Sequence, residues 1–549
     1  MTCDFKLIYE SGGEEHILTA PSNDGALTLT VTDDGERRRV SAAARAKVTL
    51  RAYSETAHDF FTKTTPPIPD PKGDLYFING YQSWTETREF YGDARERDVT
   101  RLPGVLVRNF SFDRYGDATF YEYDKRILHG YDVFYVKGGS NGFAASLNAK
   151  NAYLIIEVVR RDGAVSFLSD IGGVTLEDGD EFTVCDYFYA GNFEDGLRLF
   201  RKYFPYREPE KIFGYTSWYN YYQDISEPII LRDLDALDSR FNLFQIDDGY
   251  ETFVGDWLDV DGKKFPRGLS PIVEAIKKKG FTAGIWLAPF VAEEKSRLFR
   301  ERRDWFRKGP DGAPVRCGSN WSGFYALDLD NGEAMDYVGK CLSHYADMGF
   351  DFFKLDFLYG ASLPAYEGET RSAVAERAYS FLRGALPGKT ILGCGATLSN
   401  AAGKFDYVRV GPDVSLIFDD VWYMKFMHRE RISTKVTLQN TVYRSFMNGC
   451  FFGCDPDVFL LRDDNIKLTA EQRRALITLN ALFGSMMMTS DNIAEYDDGK
   501  KAALDSALDL FRHARVTDYS RRDTVITVVY ELFGDVRTLR YDTERGILI

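Results

Sequence analysis

One lysine and one aspartate lie two residues apart inside an apolar, aromatic stretch, FFKLDFLYG at 352–360. Such a stretch predicts a buried strand, and a charge in a buried strand is costly unless it is paired or has a function. Because strand side chains alternate between faces, Lys354 and Asp356 share one face. The carboxyl end of a barrel strand is where catalytic residues collect. The alternative is an ion pair that braces the strand.

Polar or aromatic residues also end most of the other predicted strands. Because parallel barrel strands all end at one face, we expect these side chains to form a single pocket. They are Trp218 and Tyr219 at the first strand, Asp247 and Asp248 at the second, Trp286 at the third, Cys394 at the fifth, and Arg409 and Asp413 at the sixth.

Glycoside hydrolysis uses this set of residue types without a histidine or metal cluster. It needs two carboxyl groups on opposite sides of an acetal, one ionised and one protonated. In a retaining enzyme they lie about 5–5.5 Å apart, and one forms a glycosyl ester. Asp356 beside Lys354 suits the nucleophile, because a nearby ammonium is expected to lower the pKa of Asp356. Asp413 is the candidate proton donor, a role that burial favours and an ion pair with Arg409 opposes.

Short apolar segments alternate with charged helical segments from residue 212 onwards. Eight such units predict a (β/α)8 barrel. Only about a dozen residues separate the fifth and sixth segments, so that connection must be irregular. The predicted strands are FGYTSWY (213–219), NLFQIDD (242–248), TAGIWLA (282–288), DFFKLDF (351–357), TILGCGA (390–396), YVRVGPD (407–413), CFFGCDPD (450–457) and SMMMTSD (485–491); helices include PIVEAIKKKG, NGEAMDYVGKCLSHYADMG and SAVAERAYSFLRGAL.

The region before the barrel has β character, with period-2 runs such as ALTLTVTDDG (26–35) and AYLIIEVVRRDG (152–163). FEDGLRLFRKYF (193–204) then predicts a helix, and RVTDYSRRDTVITVVYELFGD near the end returns to β character. We therefore predict a multidomain protein. Its predicted parts are an N-terminal β-sandwich domain (1–195), a helix and linker (196–211), the catalytic barrel (212–494) and a C-terminal β-domain (495–549).

The composition argues against several classes of binding partner. A formal net charge of −15 argues against nucleic acid or an anionic membrane, since both reward clustered Lys and Arg. The N-terminus has no apolar signal segment, and no window approaches a transmembrane helix. Seven scattered cysteines are typical of reduced thiols, so we expect a cytoplasmic protein. Cys450 and Cys454 have no second ligand pair and the histidines no ligand spacing, so no metal or other cofactor is expected.

Four motifs occur in the order FQIDDGYE (244–251), GIWLAPF (284–290), FFKLDFLYG (352–360) and YVRVGPDVS (407–415). Together they resemble glycoside hydrolase family 36, the α-galactosidase family, and especially its compact bacterial members. The resemblance spans the barrel and implies an N-terminal β-supersandwich, a central (β/α)8 TIM barrel and a small C-terminal antiparallel β-domain. NGYQSW (79–84) resembles the segment that brings an N-terminal tryptophan, here Trp84, into the site; interdomain packing is the alternative.

Matching positions in this resemblance imply roles for the site residues. Asp356 would be the nucleophile and Asp413 the acid/base, as the local chemistry also favours. The implied sugar contacts are Asp247 and Asp248 on the axial 4-hydroxyl and the 6-hydroxyl, Lys354 on the 3- and 4-hydroxyls, Arg409 on the 2-hydroxyl side, a retained Cys394, and Trp218, Tyr219 and Trp286 lining the pocket.

The chain also departs from the family pattern. Longer members carry Trp where this chain has Leu355, and a glycine-rich segment where it has GCGATLSNAAGKFD (393–406). These changes concern the shape of the subsites and the preference for the aglycone, which is the leaving group of the substrate.

We predict a retaining exo-α-galactosidase that removes terminal α-D-galactosyl residues from oligosaccharides through a galactosyl-aspartate ester. On the same fold, an α-N-acetylgalactosaminidase stays open because Gly393, Gly395 and Ala396 are small, as does a galactosyltransferase. Alternatives of another class are a metal-dependent proton-abstracting barrel with Lys354 as base and a non-catalytic carbohydrate-binding relative. The sequence leaves open the natural oligosaccharide, its linkage, the extent of transglycosylation and the oligomeric state.

Overall fold

The structure is a computed structural model that describes residues 3–63, 73–92, 94, 97–159, 164–419, 424 and 426–549. Five sheets and a set of helices build it. Among the described residues, no helix combines the length and apolar character that crossing a membrane requires. The α-helices are Gly104–Phe110, Phe193–Tyr203, Trp218–Tyr221, Glu227–Ala236, Ser270–Lys278, Arg297–Glu301, Gly332–Met348, Arg371–Ala385, Leu398–Ala401, Thr434–Tyr443, Ala470–Phe483 and Asp498–His513.

Two antiparallel sheets form the N-terminal region. Alternate residues of their strands are buried, and both sheets contribute to one apolar core that includes Leu50 from one sheet and Val40 from the other. In hydrogen-bonded order the first contains Ile127–Tyr131, Leu154–Val159, Ala164–Ser169, Val48–Ala57, Cys3–Ser11 and Glu14–Leu18, with Thr175–Leu176 beside Val48–Ala57; the second contains Ser22–Asn23, Leu27–Asp33, Arg37–Ala44, Glu181–Ala190, Ser140–Ser146, Val133–Lys137, Leu75–Ile78 and Arg88–Tyr91, with Thr62–Lys63 beside Ser140–Ser146.

A nine-stranded parallel sheet forms the central region. Its strands are short and almost entirely buried, as expected for a sheet covered on both faces. Each of the eight predicted segments contains a strand of this sheet, and a ninth strand, Val458–Phe459, was not predicted. The order across the sheet is Gly453–Asp455, Tyr407–Arg409, Thr390–Gly393, Phe352–Leu355, Thr282–Leu287, Leu243–Ile246, Ile212–Thr216, Met486–Thr489 and Val458–Phe459.

One end strand of this sheet, Gly453–Asp455, lies within the predicted seventh strand, and the other, Val458–Phe459, follows the predicted segment, with only Pro456 and Asp457 between the two strands. The first pairs with Tyr407–Arg409 and the second with Met486–Thr489. Two residues cannot span a flat sheet, so the sheet must curl until its ends meet.

The connecting segments follow the sequence pattern closely. The three helices proposed between the strands are present, and so is the helix after the sandwich. The short connection between the fifth and sixth strands holds only the one-turn helix Leu398–Ala401, which confirms the predicted irregularity. The segment of chain that connects the third and fourth strands forms a small antiparallel sheet, which the sequence did not predict. It consists of Val291–Glu293, Phe324–Ala326 and Arg316–Gly318.

The C-terminal region begins with a helix, Asp498–His513, which packs against Ala470–Phe483. The predicted β structure follows it. Because the helix buries Leu504, Leu508 and Phe511, its apolar stripe faces the central region. The four-stranded antiparallel sheet contains Arg515–Arg522, Val525–Leu532, Asp535–Asp542 and Ile547–Leu548.

Arg444 fastens the N-terminal region to the central sheet. Its side chain is fully buried after the helix Thr434–Tyr443. The guanidinium donates to the Asn79 Oδ1 (3.0 Å), to the Ser83 carbonyl oxygen (2.7 Å) and to the Val410 carbonyl oxygen (2.8 Å). One cation therefore orders the loop 79–84 against the end of the sixth strand.

Replacing this cation should loosen the junction. We expect Arg444→Met to lower the free energy of unfolding by about 3 kcal/mol, because several buried oxygens lose their donor. Urea unfolding followed by tryptophan fluorescence measures this. Arg537→Met, at a half-exposed side chain, is the control and should change stability by less than about 0.5 kcal/mol. Equal effects of the two substitutions would contradict the anchoring role.

Candidate active site

A cavity of about 730 Å³ opens at the carboxyl ends of the parallel strands. Eight of the eleven predicted site residues line it, because strand-end side chains converge there. A deep end rich in carboxylates and an outer end rich in apolar side chains share this cavity. The eight residues are Trp84, Trp218, Asp247, Asp248, Trp286, Lys354, Asp356 and Asp413.

Asp356 directly follows the fourth strand, and both of its carboxylate oxygens are held. The Trp286 indole N–H donates to Oδ2 at 3.0 Å, and the main-chain N–H of Phe357 donates to Oδ1 at 2.8 Å. Phe357 has a φ of 52°, an uncommon conformation for an aromatic residue and one that collects at functional sites. The carboxylate is thus fixed in place before any substrate arrives.

Burial raises the pKa of Asp356 above its ordinary value, although the Lys354 charge opposes the shift. The expected lowering of this pKa was therefore wrong in direction. Lys354 does not pair with Asp356: its Nζ donates to Asp247 Oδ2 at 2.8 Å. The penalty of removing Asp356 from water outweighs the attraction of a cation that another carboxylate already binds.

The Asp247–Lys354 ion pair is almost completely buried. Asp247 Oδ2 also accepts a hydrogen bond from Gln245 Nε2 (2.7 Å), which further stabilises the carboxylate charge. Burial disfavours the ammonium, but the Asp247 carboxylate more than offsets this and raises the pKa of Lys354. Lys354 is therefore a cation on the cavity wall, well suited to donate to a hydroxyl group.

Asp248 accepts from the Trp321 indole N–H at 2.9 Å and from Gln223 Nε2 at 3.1 Å. Glu251 is buried beside it, and burial together with the Asp248 charge raises the pKa of Glu251 well above its usual range. Glu251 therefore keeps its proton and hydrogen-bonds Asp248. The sequence prediction missed both Trp321 and Glu251. Glu251 could have been found as the acidic residue that ends FQIDDGYE, whereas Trp321 lies between two strands of the unanticipated sheet.

Arg409 and Tyr219 lie behind the cavity wall and are absent from its lining. Arg409 Nη1 pairs with Asp413 Oδ1 at 3.0 Å, its Nε with Asp455 Oδ2 at 3.0 Å, and its Nη2 with Asp457 Oδ1 at 2.8 Å. The Tyr219 hydroxyl donates to Asp457. Burial raises the pKa of Asp457 to about 7. One arginine thus serves three carboxylates, and Asp413 is the partly exposed one.

Trp84 reaches the cavity from the N-terminal region. Its indole N–H donates to the Cys394 Sγ at 3.4 Å, and its ring meets Phe357 edge-on with centroids 5.1 Å apart. Gly395, at a φ of 59°, lies so close that a Cβ there would be 3.0 Å from the Trp84 ring. Cys394 therefore sits behind Trp84 and outside the lining, while Trp84 lines the cavity as well as packing between regions.

A metal-dependent reaction would need Asp247, Asp356 and Asp413 as ligands of one ion, but these aspartates do not converge on one point. Asp247 pairs with Lys354 and Asp413 with Arg409. In the part of the chain that the structure describes, no group of three or more His, Cys, Asp or Glu residues is arranged to hold a metal ion. All seven cysteines are free thiols.

The chain is similar to known proteins over parts of its length. Residues 200–385 match the family model described as Melibiase. An A type blood α-D-galactosamine galactosaminidase from Flavonifractor plautii is 26% identical over 388 residues, 60% of this chain and 34% of that protein. An Escherichia coli α-galactosidase is 36% identical over 104 residues, 18% of this chain and 14% of that protein. The chain thus spans about a third or less of the length of these curated relatives.

Solved structures match over far more of the chain. The Thermus thermophilus α-galactosidase in complex with p-nitrophenyl α-D-galactopyranoside has a TM-score of 0.71 and 26% identity, over 93% of this chain and 98% of that one. The family 36 α-galactosidase AgaA from Geobacillus stearothermophilus, at 13% identity and a TM-score of 0.57, shares the multidomain fold over 94% of this chain and 73% of its own. The resemblance to family 36 α-galactosidases is confirmed, and these findings support a glycoside hydrolase.

The Glu251 proton should be visible in the pH dependence of stability. We expect Glu251→Gln to raise the melting temperature relative to the unsubstituted chain at pH 8, with the difference shrinking towards pH 5. Glu251 stays protonated in the fold but ionises above about pH 4.3 once unfolded, so rising pH favours the unfolded chain. Glutamine has no proton to release. Calorimetry at both pH values measures the difference, with exposed Glu274→Gln as the control. The same change in melting temperature at pH 5 and pH 8 would show that Glu251 is ionised in the fold.

Proposed function

We propose that this protein is a retaining exo-glycosidase that removes terminal α-D-galactosyl residues from oligosaccharides by double displacement through a galactosyl–Asp356 ester. The observation that carries the proposal is the pairing of Asp356 and Asp413 on one cavity whose deep wall also presents Asp247, Asp248 and Lys354. Carboxylates and an ammonium form strong charge-assisted hydrogen bonds with sugar hydroxyls.

In the first step, an oxygen of the Asp356 carboxylate attacks the anomeric carbon and the bond from that carbon to the leaving oxygen breaks. Asp413 gives its proton to the leaving oxygen, so the aglycone departs as a neutral alcohol. Attack from the opposite face inverts the anomeric carbon and leaves a β-galactosyl ester on Asp356. The Trp286 and Phe357 hydrogen bonds hold the attacking group in position.

In the second step, the Asp413 carboxylate takes a proton from water as the water oxygen attacks the anomeric carbon. The ester bond breaks, Asp356 is released as a carboxylate, and a second inversion gives α-galactose. Asp413 suits this role because its side chain is one-third exposed, so water reaches it. The reaction as proposed needs no cofactor.

Sugar recognition is proposed as follows. Asp247 and Asp248 would bind the axial 4-hydroxyl and the 6-hydroxyl, and Lys354 the 3- and 4-hydroxyls. Arg409 and Tyr219 do not line the cavity, so we propose that Arg409 positions Asp413 and that Tyr219 positions Asp457. Trp84, Trp218 and Trp286 would border the sugar through their aromatic rings, with Cys394 supporting Trp84.

The division of the chain into domains is also a proposal. We propose a β-sandwich domain over 1–195, a helix and linker over 196–211, a (β/α)8 barrel over 212–494 and a C-terminal domain over 495–549. The parallel sheet with joined ends and the separate antiparallel sheets support this division. The cytoplasmic location stays a prediction from the sequence.

A second candidate is hydrolysis of α-galactosaminides, favoured by the Flavonifractor plautii relative, whose name states a galactosamine substrate. The small residues around Cys394 give this candidate no support, because Cys394 lies outside the cavity lining. A Cβ at Gly393 would lie 2.6 Å from Phe405, and one at Gly395 would lie 3.0 Å from Trp84, so these small residues are packed against aromatic rings. Rates on the p-nitrophenyl α-glycosides of galactose, galactosamine and N-acetylgalactosamine decide between the substrates.

Removal of the nucleophile should abolish turnover. We expect Asp356→Ala to lower kcat on p-nitrophenyl α-galactoside by about 10⁴-fold or more, since no ester can form. Azide fits the vacated space and should restore release of p-nitrophenol while giving β-galactosyl azide, which proton NMR identifies. Exposed Asp347→Ala is the matched control and should retain full activity. Wild-type rates for Asp356→Ala, or β-galactose as the first sugar from the unsubstituted enzyme, would refute double displacement.

Removal of the acid/base should depend on the leaving group. We expect Asp413→Ala to lower kcat/KM about 10²–10⁴-fold on melibiose, whose leaving alcohol needs a proton. The loss should be smaller on p-nitrophenyl α-galactoside, because p-nitrophenolate departs without protonation. Steady-state kinetics on the two substrates give the comparison. An equal loss on both would assign Asp413 to binding rather than to proton transfer.

A further inference from the structure

The outer end of the cavity has a different character from its deep end. Apolar side chains from residues 102–112 and 426–432 line it, and we name this set the apolar lip. The helix Gly104–Phe110, which supplies two of them, has no buried residue. The apolar lip comprises Leu102, Leu106, Phe110, Phe112, Phe426 and Ile432.

Three side chains of the apolar lip are unusually open to solvent. Leu106 is 39% exposed, Phe110 50% and Phe426 42%. Large apolar side chains that share one exposed surface usually mark a binding site. Because Asp247 and Lys354 at the other end are buried, the apolar lip borders the opening of the cavity.

The position of the apolar lip relative to the carboxylates determines which part of the substrate it would contact. A terminal galactosyl group fills the deep end, where the hydroxyl-binding side chains are. Its anomeric carbon must face Asp356 and Asp413, so the leaving group extends towards the opening. The apolar lip therefore lies where the aglycone lies.

A second sugar ring in that place would need hydrogen-bond partners, and two of the polar side chains that line the opening are already bound to other residues. The Asn320 Oδ1 accepts from the Tyr115 hydroxyl, and Arg431 pairs with Asp419 at 2.6 Å. An alkyl chain, by contrast, needs only apolar area, and each buried methylene group adds affinity.

We propose that the apolar lip is the aglycone subsite and that it selects α-galactosides of long apolar alcohols over α-galactosides of a second sugar. This inference rests on the proposed hydrolysis of α-galactosides and differs from it in the leaving group, since an apolar alcohol is preferred to the second sugar of an oligosaccharide. It assigns Leu106 and Phe110 as specificity-determining residues, since both are exposed and line the cavity.

The test compares kcat/KM for octyl α-D-galactopyranoside, methyl α-D-galactopyranoside and melibiose, with the octyl glycoside kept below its micelle concentration. We expect the octyl glycoside to exceed both of the others by about tenfold or more, because part of its chain is buried on the apolar lip. Leu106→Ser and Phe110→Ser should each lower the octyl-to-methyl ratio, and together by about tenfold.

Val105→Ser is the matched control. Val105 lies on the same helix and is 61% exposed, but it does not line the cavity, so the octyl-to-methyl ratio should stay unchanged. Melibiose hydrolysis with an octyl-to-methyl ratio near one would overturn the inference and leave the proposed function standing. Absence of galactose from all three glycosides would overturn both.

A second copy of the chain is the other possible occupant of the apolar lip. Sedimentation of the unsubstituted protein and of Leu106→Ser distinguishes the two. A mass that is the same for both supports an aglycone subsite. A dimer that dissociates on Leu106→Ser would assign the apolar lip to a contact between copies and overturn the inference.

Discussion

A buried guanidinium, that of Arg444, hydrogen-bonds both the N-terminal region and the chain that follows the sixth strand of the parallel sheet. Burial lowers the pKa of Arg444 to about 9, yet at neutral pH it remains a cation. Its acceptors are oxygens of residues 79–83 and the carbonyl oxygen of Val410. A buried guanidinium without a carboxylate partner is stable when each of its N–H groups donates to an oxygen. This requirement orients the oxygens of the loop before Trp84 towards Arg444. Trp84 borders the cavity, but its position depends on the hydrogen bonds of Arg444, which lies outside the cavity.

The carboxylates of the site differ because their surroundings differ. Asp247 has a buried ammonium, Asp248 has a neutral neighbouring acid, and Asp356 has two N–H donors. Only Asp413 is partly open to water. The proposed reaction needs one fixed nucleophile and one group that exchanges protons with water, and burial and hydrogen bonding make residues of the same type differ in this way.

The sequence predicted the strands of the parallel sheet, and with them most of the site, because buried strands with polar ends have a strong local pattern. Asp247, Asp248, Lys354, Asp356 and Asp413 all follow from that pattern. It could not predict which charges pair. Lys354 is near Asp356 in sequence, but its partner Asp247 is 107 residues away. The burial that reverses the expected pKa shift of Asp356 likewise depends on the whole fold. Trp321 and the apolar lip lie in connecting segments, where local patterns are weak.

The two end strands of the parallel sheet have a consequence for how the sheet closes. They pair with different neighbours, and two residues at the joint between them, Asp455 and Asp457, both turn their carboxylates to Arg409. The same guanidinium holds Asp413. The joint between the two end strands and the Asp413 carboxylate therefore depend on the same arginine. A substitution that changed the charge of Asp455 or Asp457 would therefore also change the surroundings of Asp413, so the packing at this joint and the environment of a cavity carboxylate are linked through one side chain.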